Sequence, residues 1–367
     1  MRKFVSKITL PILCLSLGIG FFVLNFAIGK AQTTETRDRT STPTPTPPPV
    51  PSGTPPPLPV DDDGIIEIGT ELVNLNVRVV DRFNRPIANL RKEDFQVFED
   101  RIPQPIEFFS QSEVPTNYAL VIDNSGSLRF QLEKVIEASK TIVNTNRPDD
   151  ETGVIRFVSS EKIEILQDFT ADKTDLNDAL DNMFIEGGQT AIIDAIYLAA
   201  EKVDEYERSR NPNDRKRRAM IIVSDGEDRS SYYKEEQLFK MLREADVQIY
   251  AVGFIKDLET DGSFIRKSPQ KKAKNFLKKL ATETGGKAYF PNTVSELPQI
   301  ARDISSELRT QYSIGYLPDN DKPKNAFRNI KVTVKDGPNG QKRIARTRTG
   351  LVIDKRKGTK PEFQKTN

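Results

Sequence analysis

Three separated, almost wholly apolar segments constrain most strongly what this chain can fold into. The segments Tyr118–Asp123, Ala219–Ser224 and Val247–Phe254 are short, and helical patterns lie between them. Short apolar runs that alternate with amphipathic helices are typical of parallel strands buried on both faces. We therefore predict an α/β domain over residues 115–310, in which a doubly wound, mostly parallel sheet carries helices on both faces.

Strand patterns flank this domain on both sides. In the segment 65–114, apolar and polar residues alternate from Glu71 to Val80. The segment 311–353 contains three predicted strands, Tyr312–Leu317, Phe327–Lys335 and Lys342–Ile353. About 50 residues form only a few strands, so we expect the two segments to pair in a small β-sandwich-like domain that contains the α/β domain as an insertion. Two separate β modules are the alternative.

The first 31 residues have the features of an export signal. Three basic residues within the first seven positions precede an apolar run over residues 8–28, and Ala31 ends an acceptable cleavage site. The run is also long enough to span a bilayer. We predict export across the cytoplasmic membrane to the periplasm or the cell exterior. A cleaved signal peptide and a retained membrane anchor both remain open.

A proline-rich segment follows the predicted signal. Residues 41–60 contain 10 of the 24 prolines of the chain, interleaved with Thr, Ser and Gly. Such a composition cannot form a packed core and favours polyproline II. Residues 32–64 are therefore predicted to be a disordered linker that acts as a semi-rigid spacer; a proline-rich peptide ligand is the alternative.

The composition excludes several kinds of catalytic and metal site. The chain has no histidine, and its one cysteine, Cys14, lies in the N-terminal apolar run. The folded part therefore has no His-dependent catalytic triad, no His-ligated zinc or haem, no disulfide and no thiolate metal site. Any metal has to be a hard cation that is held by oxygen.

The net charge of +2 conceals an uneven distribution. Residues 321–367 contain 14 Lys or Arg against 4 Asp or Glu, so this end carries +10 and the remainder −8. We expect a solvated basic face and, over residues 354–367, a disordered basic tail. Attachment to an anionic surface such as phospholipid or a teichoic-type polymer is the alternative. Nucleic acid is not expected as a partner of an exported chain.

Oxygen-bearing side chains occur at three loops of the predicted sheet. The first apolar strand ends in Asp123-Asn-Ser-Gly-Ser, Thr190 follows two glycines, and Asp225 follows a second apolar strand. Loops at the carboxyl ends of parallel strands meet at one edge of the sheet. Carboxylate and hydroxyl oxygens suit Mg²⁺, Mn²⁺ or Ca²⁺. Taken singly, each of these residues could instead cap a helix or form a turn.

This pattern resembles the von Willebrand factor type A domain with its metal-ion-dependent adhesion site. The Asp-x-Ser-x-Ser motif is present as Asp123, Ser125 and Ser127, the second-loop threonine as Thr190, and the third-loop aspartate as Asp225. The resemblance covers roughly residues 116–310. The flanking segments are similar to those of a bacterial group of exported proteins related to this family.

The resemblance implies that these five residues hold a divalent cation, Mg²⁺ in the first place and Mn²⁺ or Ca²⁺ as alternatives. The three hydroxyls would bind the cation directly or through one water, and the two aspartates would lie mostly behind waters or hydroxyls. An Asp or Glu of a partner protein would then complete the coordination. Gly187 and Gly188 would let the second loop move together with the last helix, Val294–Gln311. Asp194 is expected to lie on a helix surface or to brace a loop.

We therefore predict an exported or membrane-tethered protein-binding module that is not an enzyme and has no small-molecule substrate. One alternative is a structural envelope module with a vestigial metal site. The other is a metal-dependent phosphoryl hydrolase, because the segment from Asp123 to Leu128 also looks like a phosphatase Asp-x-Asp-Gly-Thr-Leu motif. In that motif a second carboxylate is needed where this chain has Ser125.

Overall fold

A computed structural model describes residues 72–111, 114–209, 216–255, 269–319, 322 and 326–352. The predicted signal or anchor (1–31), the predicted linker (32–64) and the predicted basic tail (354–367) lie outside the described residues. Within the described ranges, no helix is long and apolar enough to cross a membrane.

The described residues form fourteen strands and six α-helices. The strands are β1 (Val73–Val80), β2 (Phe95–Glu99), β3 (Ile102–Gln104), β4 (Phe108–Ser110), β5 (Thr116–Asp123), β6 (Glu151–Ser159), β7 (Lys162–Thr170), β8 (Arg217–Ser224), β9 (Gln248–Gly253), β10 (Ala288–Tyr289), β11 (Tyr312–Tyr316), β12 (Arg328–Val334), β13 (Ile344–Arg346) and β14 (Gly350–Leu351). The helices are α1 (Leu132–Asn144), α2 (Lys173–Asp181), α3 (Ile192–Arg208), α4 (Glu235–Ala245), α5 (Pro269–Thr284) and α6 (Leu297–Arg309).

A six-stranded sheet in the order β10-β9-β8-β5-β6-β7 lies at the centre of residues 115–310. All of its strands run parallel except β7, which pairs antiparallel with β6 at the edge. The predicted doubly wound, mostly parallel sheet is therefore confirmed. The chain leaves β5 toward β6 and later returns to the other side of β5 as β8, so the switch point of the sheet lies between β5 and β8.

Strand β5 shows why this sequence forms a central strand. All eight of its residues are buried, because it has apolar side chains on both faces. Ala119 and Val121 pack into a core with α3, α4 and α5, whereas Leu120 and Ile122 pack into a second core with α1, α2 and α6. Apolar helix stripes cover both faces of the sheet, and together they hold the carboxyl ends of β5 and β8 at a fixed separation.

Two further four-stranded sheets combine strands from before and after this central domain. Their orders are β13-β1-β11-β4 and β14-β12-β2-β3. Strand β1 pairs antiparallel with β11, and β2 pairs antiparallel with β12. The two sheets share one apolar core, to which Leu75, Val97, Tyr312 and Ile330 contribute. The α/β domain therefore lies between β4 and β11 as an insertion in a small β-sandwich-like domain.

A buried polar network joins the N-terminal and C-terminal parts of the sandwich. Glu99 of β2 accepts a hydrogen bond of 2.6 Å from the hydroxyl of Tyr316 in β11. The other carboxylate oxygen of Glu99 lies 2.5 Å from Arg328 of β12. Because all three side chains are buried, the charges of Glu99 and Arg328 each require the other as a partner.

In the flanking segments, one prediction is wrong in detail and one strand was missed. Lys342–Ile353 is not one strand: β13 pairs with β1, and β14 pairs with β12 in the other sheet. Between them Thr349 donates its backbone N–H to the carbonyl oxygen of Glu283, which holds the chain as it crosses from one sheet to the other. Strand β3 was not predicted, because its hairpin turn uses Asp100 and Arg101 at positive φ rather than glycine.

Candidate metal centre

Three loops come together beside the switch point of the central sheet. The first follows β5, the second joins α2 to α3, and the third follows β8. Glu186 in the second loop donates its N–H to the carbonyl of Asn124 in the first, at 3.2 Å. Arg229 in the third loop donates its N–H to the carbonyl of Thr190 in the second, at 2.8 Å. Backbone hydrogen bonds therefore fix the three loops to one another.

Asp123 is held from both neighbouring strand ends. Its Oδ1 accepts the backbone N–H of Ser125 at 2.8 Å, and its Oδ2 accepts the hydroxyl of Ser224 at 2.7 Å. The Ser224 hydroxyl also accepts the N–H of Gly226 at 3.1 Å. The Asp123 side chain is fully buried, so these hydrogen bonds set the direction in which the carboxylate points.

The two predicted serine hydroxyls lie between the two predicted aspartates. The Oγ atoms of Ser125 and Ser127 are 2.8 Å apart. Ser127 also hydrogen-bonds the Asp225 carboxylate, and Asp225 Oδ1 accepts the N–H of Glu227 at 2.9 Å. Ser127 is exposed, whereas Asp123, Ser125 and Asp225 are buried. The structure thus brings four of the five predicted residues into one cluster that opens to solvent at Ser127.

Thr190 is the fifth predicted residue. Its side chain is buried, and its carbonyl accepts the N–H groups of Arg229 and Ser230. The Ser230 hydroxyl adds a hydrogen bond of 2.7 Å to the carbonyl of Gln189. These contacts hold Thr190 against the third loop. Among the contacts of the described residues, none joins its hydroxyl to the other four predicted residues.

The electrostatics of the cluster suit a hard cation. Burial, and then the negative charge of Asp225, raise the pKa of Asp123 to about 6. Burial also raises the pKa of Asp225. Two carboxylates that repel each other in a buried site ionise more readily when a cation lies between them. In the described part of the chain, no cluster of three or more Asp, Glu, His or Cys side chains could hold a metal.

Residues 117–303 match the family model of the von Willebrand factor type A domain. The chain belongs to this family. The matched residues include the central sheet and all three loops, and we call residues 115–310 the A domain from here on. The fold implied by the sequence resemblance is thereby confirmed.

Known proteins resemble the chain in sequence. Inter-alpha-trypsin inhibitor heavy chain H2 is 25% identical to it over 226 residues in Mus musculus and over 241 residues in Homo sapiens. These matches cover 58% and 61% of this chain but 22% and 24% of the relatives, so the chain spans less than a quarter of their length.

Among solved structures, an aerotolerance-related membrane protein from Bacteroides fragilis is 20% identical, with a TM-score of 0.39; the match covers 53% of this chain and 98% of that one. Proximal thread matrix protein 1 from the mussel byssus, in a structure with a zinc-occupied metal-ion-dependent adhesion site, is 18% identical, with a TM-score of 0.39 and coverages of 53% and 48%.

Asp194 braces the A-domain loops. It lies in the first turn of α3 and is fully buried. Its carboxylate accepts the N–H groups of Tyr232 and Tyr233 at 2.7 and 2.9 Å, and Oδ2 also accepts the hydroxyl of Ser160 at 2.5 Å. These bonds hold the third loop and the turn after β6 against the start of α3. Of the two roles expected for Asp194, a helix-surface residue or a loop brace, the structure shows the loop brace.

Sequence reasoning missed an aromatic rim on the same three loops. Phe130 after the first loop is 91% exposed, Phe184 in the second is 53% exposed, and Tyr232 in the third is 63% exposed. Within the described residues of the A domain, the exposed large apolar side chains are these three. The sequence carries no distinct signal for them, because Phe184 lies between Met183 and Ile185 and the exposed Tyr232 is followed by the buried Tyr233.

Proposed function

We propose that this chain is an exported protein-binding module that uses a divalent cation to hold an acidic residue of a partner protein. In this proposal Asp123, Ser125, Ser127, Thr190 and Asp225 are the metal site, with Mg²⁺ as the preferred cation. The observation that carries the proposal is the cluster of Asp123, Ser125, Ser127 and Asp225 at the switch point, where the two carboxylates have raised pKa values and the hydroxyls lie between them.

The arrangement of the chain's own oxygens supports this use. When bound, the cation would supply an electrophilic centre for an external carboxylate. Ser125 and Ser127 are neutral donors, so they leave the positive charge of a cation largely uncompensated. Asp123 is already engaged by Ser125 and Ser224 and acts by orienting the hydroxyls. The exposed Ser127 marks the side from which a partner approaches.

The aromatic rim adds a second feature of the partner. Exposed aromatic side chains are enriched at protein–protein interfaces. We propose that Phe130, Phe184 and Tyr232 contact apolar side chains on either side of the partner's acidic residue. The binding energy then has two separable parts, one dependent on the cation and one on apolar contact.

Membrane attachment and the absence of catalysis belong to the same proposal. Residues 8–28 would place the A domain outside the cytoplasmic membrane, either secreted or anchored. We assign the site no catalytic step, because Ser125 lies where phosphoryl transfer would need a second carboxylate, and its hydroxyl is engaged with Ser127 at 2.8 Å.

Calorimetric titration of the full chain with MgCl₂ tests the metal site. We expect saturable binding by the wild type, loss of binding in the Ser125→Ala/Ser127→Ala variant, and unchanged binding in the control Ser306→Ala, an exposed serine on α6. A pull-down from envelope extract with Mg²⁺ or with chelator, using Asp123→Ala as control, then tests the partner. Absence of Mg²⁺ binding by the wild type would leave a structural module with a vestigial site.

A further inference from the structure

A cleft of about 400 Å³ lies between the A domain and the sandwich. Residues at the end of α5 and at the start of β10 form one wall, and residues of β1, β12 and β13 form the other. Six cationic side chains line the cleft: Arg78, Lys278, Lys287, Lys331, Arg346 and Arg348. Among the described residues, no Asp or Glu lines it. The cleft is near the beginning of β10, whereas the metal-site residues follow the carboxyl ends of β5 and β8.

Two of these arginines face each other across a strand pair. Arg78 of β1 and Arg346 of β13 are direct partners in the antiparallel register. Like charges directly opposite each other on paired strands are destabilising. Burial lowers the pKa of Arg78, and the charge of Arg346 lowers it further. The pKa of Lys287 is likewise lowered by burial and then by Arg78.

The protein neutralises only part of this charge. Glu307 forms ion pairs with Arg78 and with Lys287, the latter at 2.9 Å. Arg348 pairs with Asp246 at 2.9 Å. Lys278, Lys331 and Arg346 are exposed, and within the described residues they have no carboxylate partner. The carbonyl groups at the end of α5 contribute roughly half a negative charge, which is less than the three unpaired cations.

The other lining groups are suited to hydrogen bonding with an oxyanion. Thr282, Thr347 and Thr349 contribute three threonines to the lining of the cleft. Gly285 and Gly286 also line the cleft, and Gly286 packs so closely on β9 that a Cβ atom there would lie 1.9 Å from the carbonyl oxygen of Ile249. Arginine, lysine, hydroxyl and exposed backbone are the groups that proteins use to bind phosphate and sulfate.

We propose that this basic cleft binds a multiply charged oxyanion, a phosphate or sulfate group, between the A domain and the sandwich. The oxyanion would neutralise the exposed Lys331 and Arg346, which have no carboxylate partner among the described residues. The proposal does not depend on the metal site. It also assigns a role to part of the positive charge at the C-terminal end of the chain, because Lys331, Arg346 and Arg348 all belong to that end.

The test measures oxyanion binding to the full chain in EDTA, so that the metal site does not contribute. Thermal unfolding and calorimetry are recorded with sodium phosphate, sodium sulfate and sodium acetate at one ionic strength. The cleft variant is Lys331→Gln/Arg346→Gln. The matched control is Lys335→Gln/Lys342→Gln, which removes the same charge from exposed positions that do not line the cleft.

We expect phosphate or sulfate to raise the melting temperature of the wild type and the control, and the cleft variant to bind at least tenfold more weakly. Without oxyanion, the cleft variant should melt at or above the wild type, because the Arg78–Arg346 repulsion is gone. Equal responses of the two double variants, or an acetate response as large as that to phosphate, would overturn the proposal.

A further comparison of inorganic phosphate with a short polyphosphate identifies the source of the oxyanion. Tighter binding of polyphosphate indicates a polymer-borne group, and equal binding indicates a free ion. Either result supports an oxyanion site, provided that the cleft variant no longer binds the oxyanion.

Discussion

The hydroxyl of Ser224 donates a hydrogen bond of 2.7 Å to Asp123 Oδ2. This bond joins the carboxyl ends of β8 and β5, the two strands on either side of the switch point. The same hydroxyl accepts the N–H of Gly226, and so it also shapes the start of the loop that contains Asp225. One buried serine therefore positions both aspartates of the candidate metal centre.

Replacing this serine should weaken both the fold and the metal site. Ser224→Ala leaves a buried carboxylate oxygen and a buried N–H without their hydrogen-bond partner, at a cost of about 1–3 kcal/mol in the free energy of unfolding. Urea unfolding in EDTA measures the loss, and MgCl₂ titration measures the weaker binding. The control Ser306→Ala, exposed on α6, should change neither, and an unchanged Ser224→Ala protein would contradict the assigned role.

The raised pKa of Asp123 predicts how stability depends on pH in the chelated protein. The pKa is about 6 in the folded protein and about 3.9 when the group is unperturbed. Between these values the folded state binds more protons than the unfolded state. The protonated Asp123 therefore stabilises the fold fully below about pH 4, and this stabilisation is lost as the pH rises through 6. The loss is on the order of 3 kcal/mol.

Asp123→Asn isolates this contribution, because the amide cannot ionise. We expect the wild type in EDTA to lose stability relative to Asp123→Asn between pH 4 and pH 7. Added Mg²⁺ should reverse the loss in the wild type alone, because the cation favours the ionised carboxylates. Parallel pH profiles of the two proteins by chemical denaturation would be incompatible with the raised pKa of Asp123.

Gly188 should resist substitution for two reasons. Its φ is +140°, which L-residues rarely adopt, and a Cβ atom there would lie 2.5 Å from Cγ1 of Val158. Gly188→Ala should therefore lower the free energy of unfolding by roughly 1–3 kcal/mol and displace the Thr190 loop. Gly126→Ala is the control, since a Cβ atom on Gly126 meets nothing within 4 Å. Thermal unfolding of both variants in EDTA checks the difference.

Asp194 should be required for loop order without being a metal ligand. Asp194→Asn removes the charge from a buried group that accepts two N–H groups and one hydroxyl, and it should cost about 2–4 kcal/mol of stability. Asp175→Asn, on the exposed side of α2, is the control. Hydrogen exchange should show the Tyr232 and Tyr233 amides opening faster in the first variant only.

The aromatic rim should affect partner binding and leave metal binding unchanged. In the triple variant Phe130→Ala/Phe184→Ala/Tyr232→Ala, MgCl₂ titration should match the wild type. Capture of a Mg²⁺-dependent partner should fall by at least tenfold. Each aromatic side chain that is an anchor at a protein interface contributes roughly 1 kcal/mol or more to the free energy of binding. Phe83→Ala, 66% exposed in the sandwich, should retain capture. Loss of Mg²⁺ binding in the triple variant would show that the three aromatic side chains support the folded structure of the loops and do not act by contact with the partner.

Periodicity predicted the buried elements well, because burial on two faces leaves a pattern in the sequence. The predicted strand Tyr118–Asp123 extends to Thr116–Asp123 in the structure, and the predicted helix Gln270–Thr284 forms as Pro269–Thr284. The cluster of Asp123, Ser125, Ser127 and Asp225 followed from the same logic, since strand ends in a parallel sheet meet at one edge.

Features that depend on long-range pairing could not be read from the sequence. Thr347, Arg348 and Thr349 carry no apolar pattern that shows the chain leaving one sheet for the other. Nor could the sequence place Arg78 opposite Arg346, because that contact depends on the register of β1 and β13. The aromatic rim was missed because the exposure of an aromatic side chain in a loop depends on how three distant loops pack.

The insertion of the A domain between paired strands has a consequence for the order of folding. Ser110 of β4 lies opposite Ser313 of β11, so the two points where the chain enters and leaves the A domain are hydrogen-bonded neighbours. During synthesis β1 and β2 are made long before β11 and β12. Until those strands are made, the apolar faces of β1 and β2 lack their partners in the sandwich core. Folding of the A domain brings its two ends together and thereby removes most of the entropy cost of closing that long loop. We therefore expect the A domain to fold first and the sandwich to be completed last.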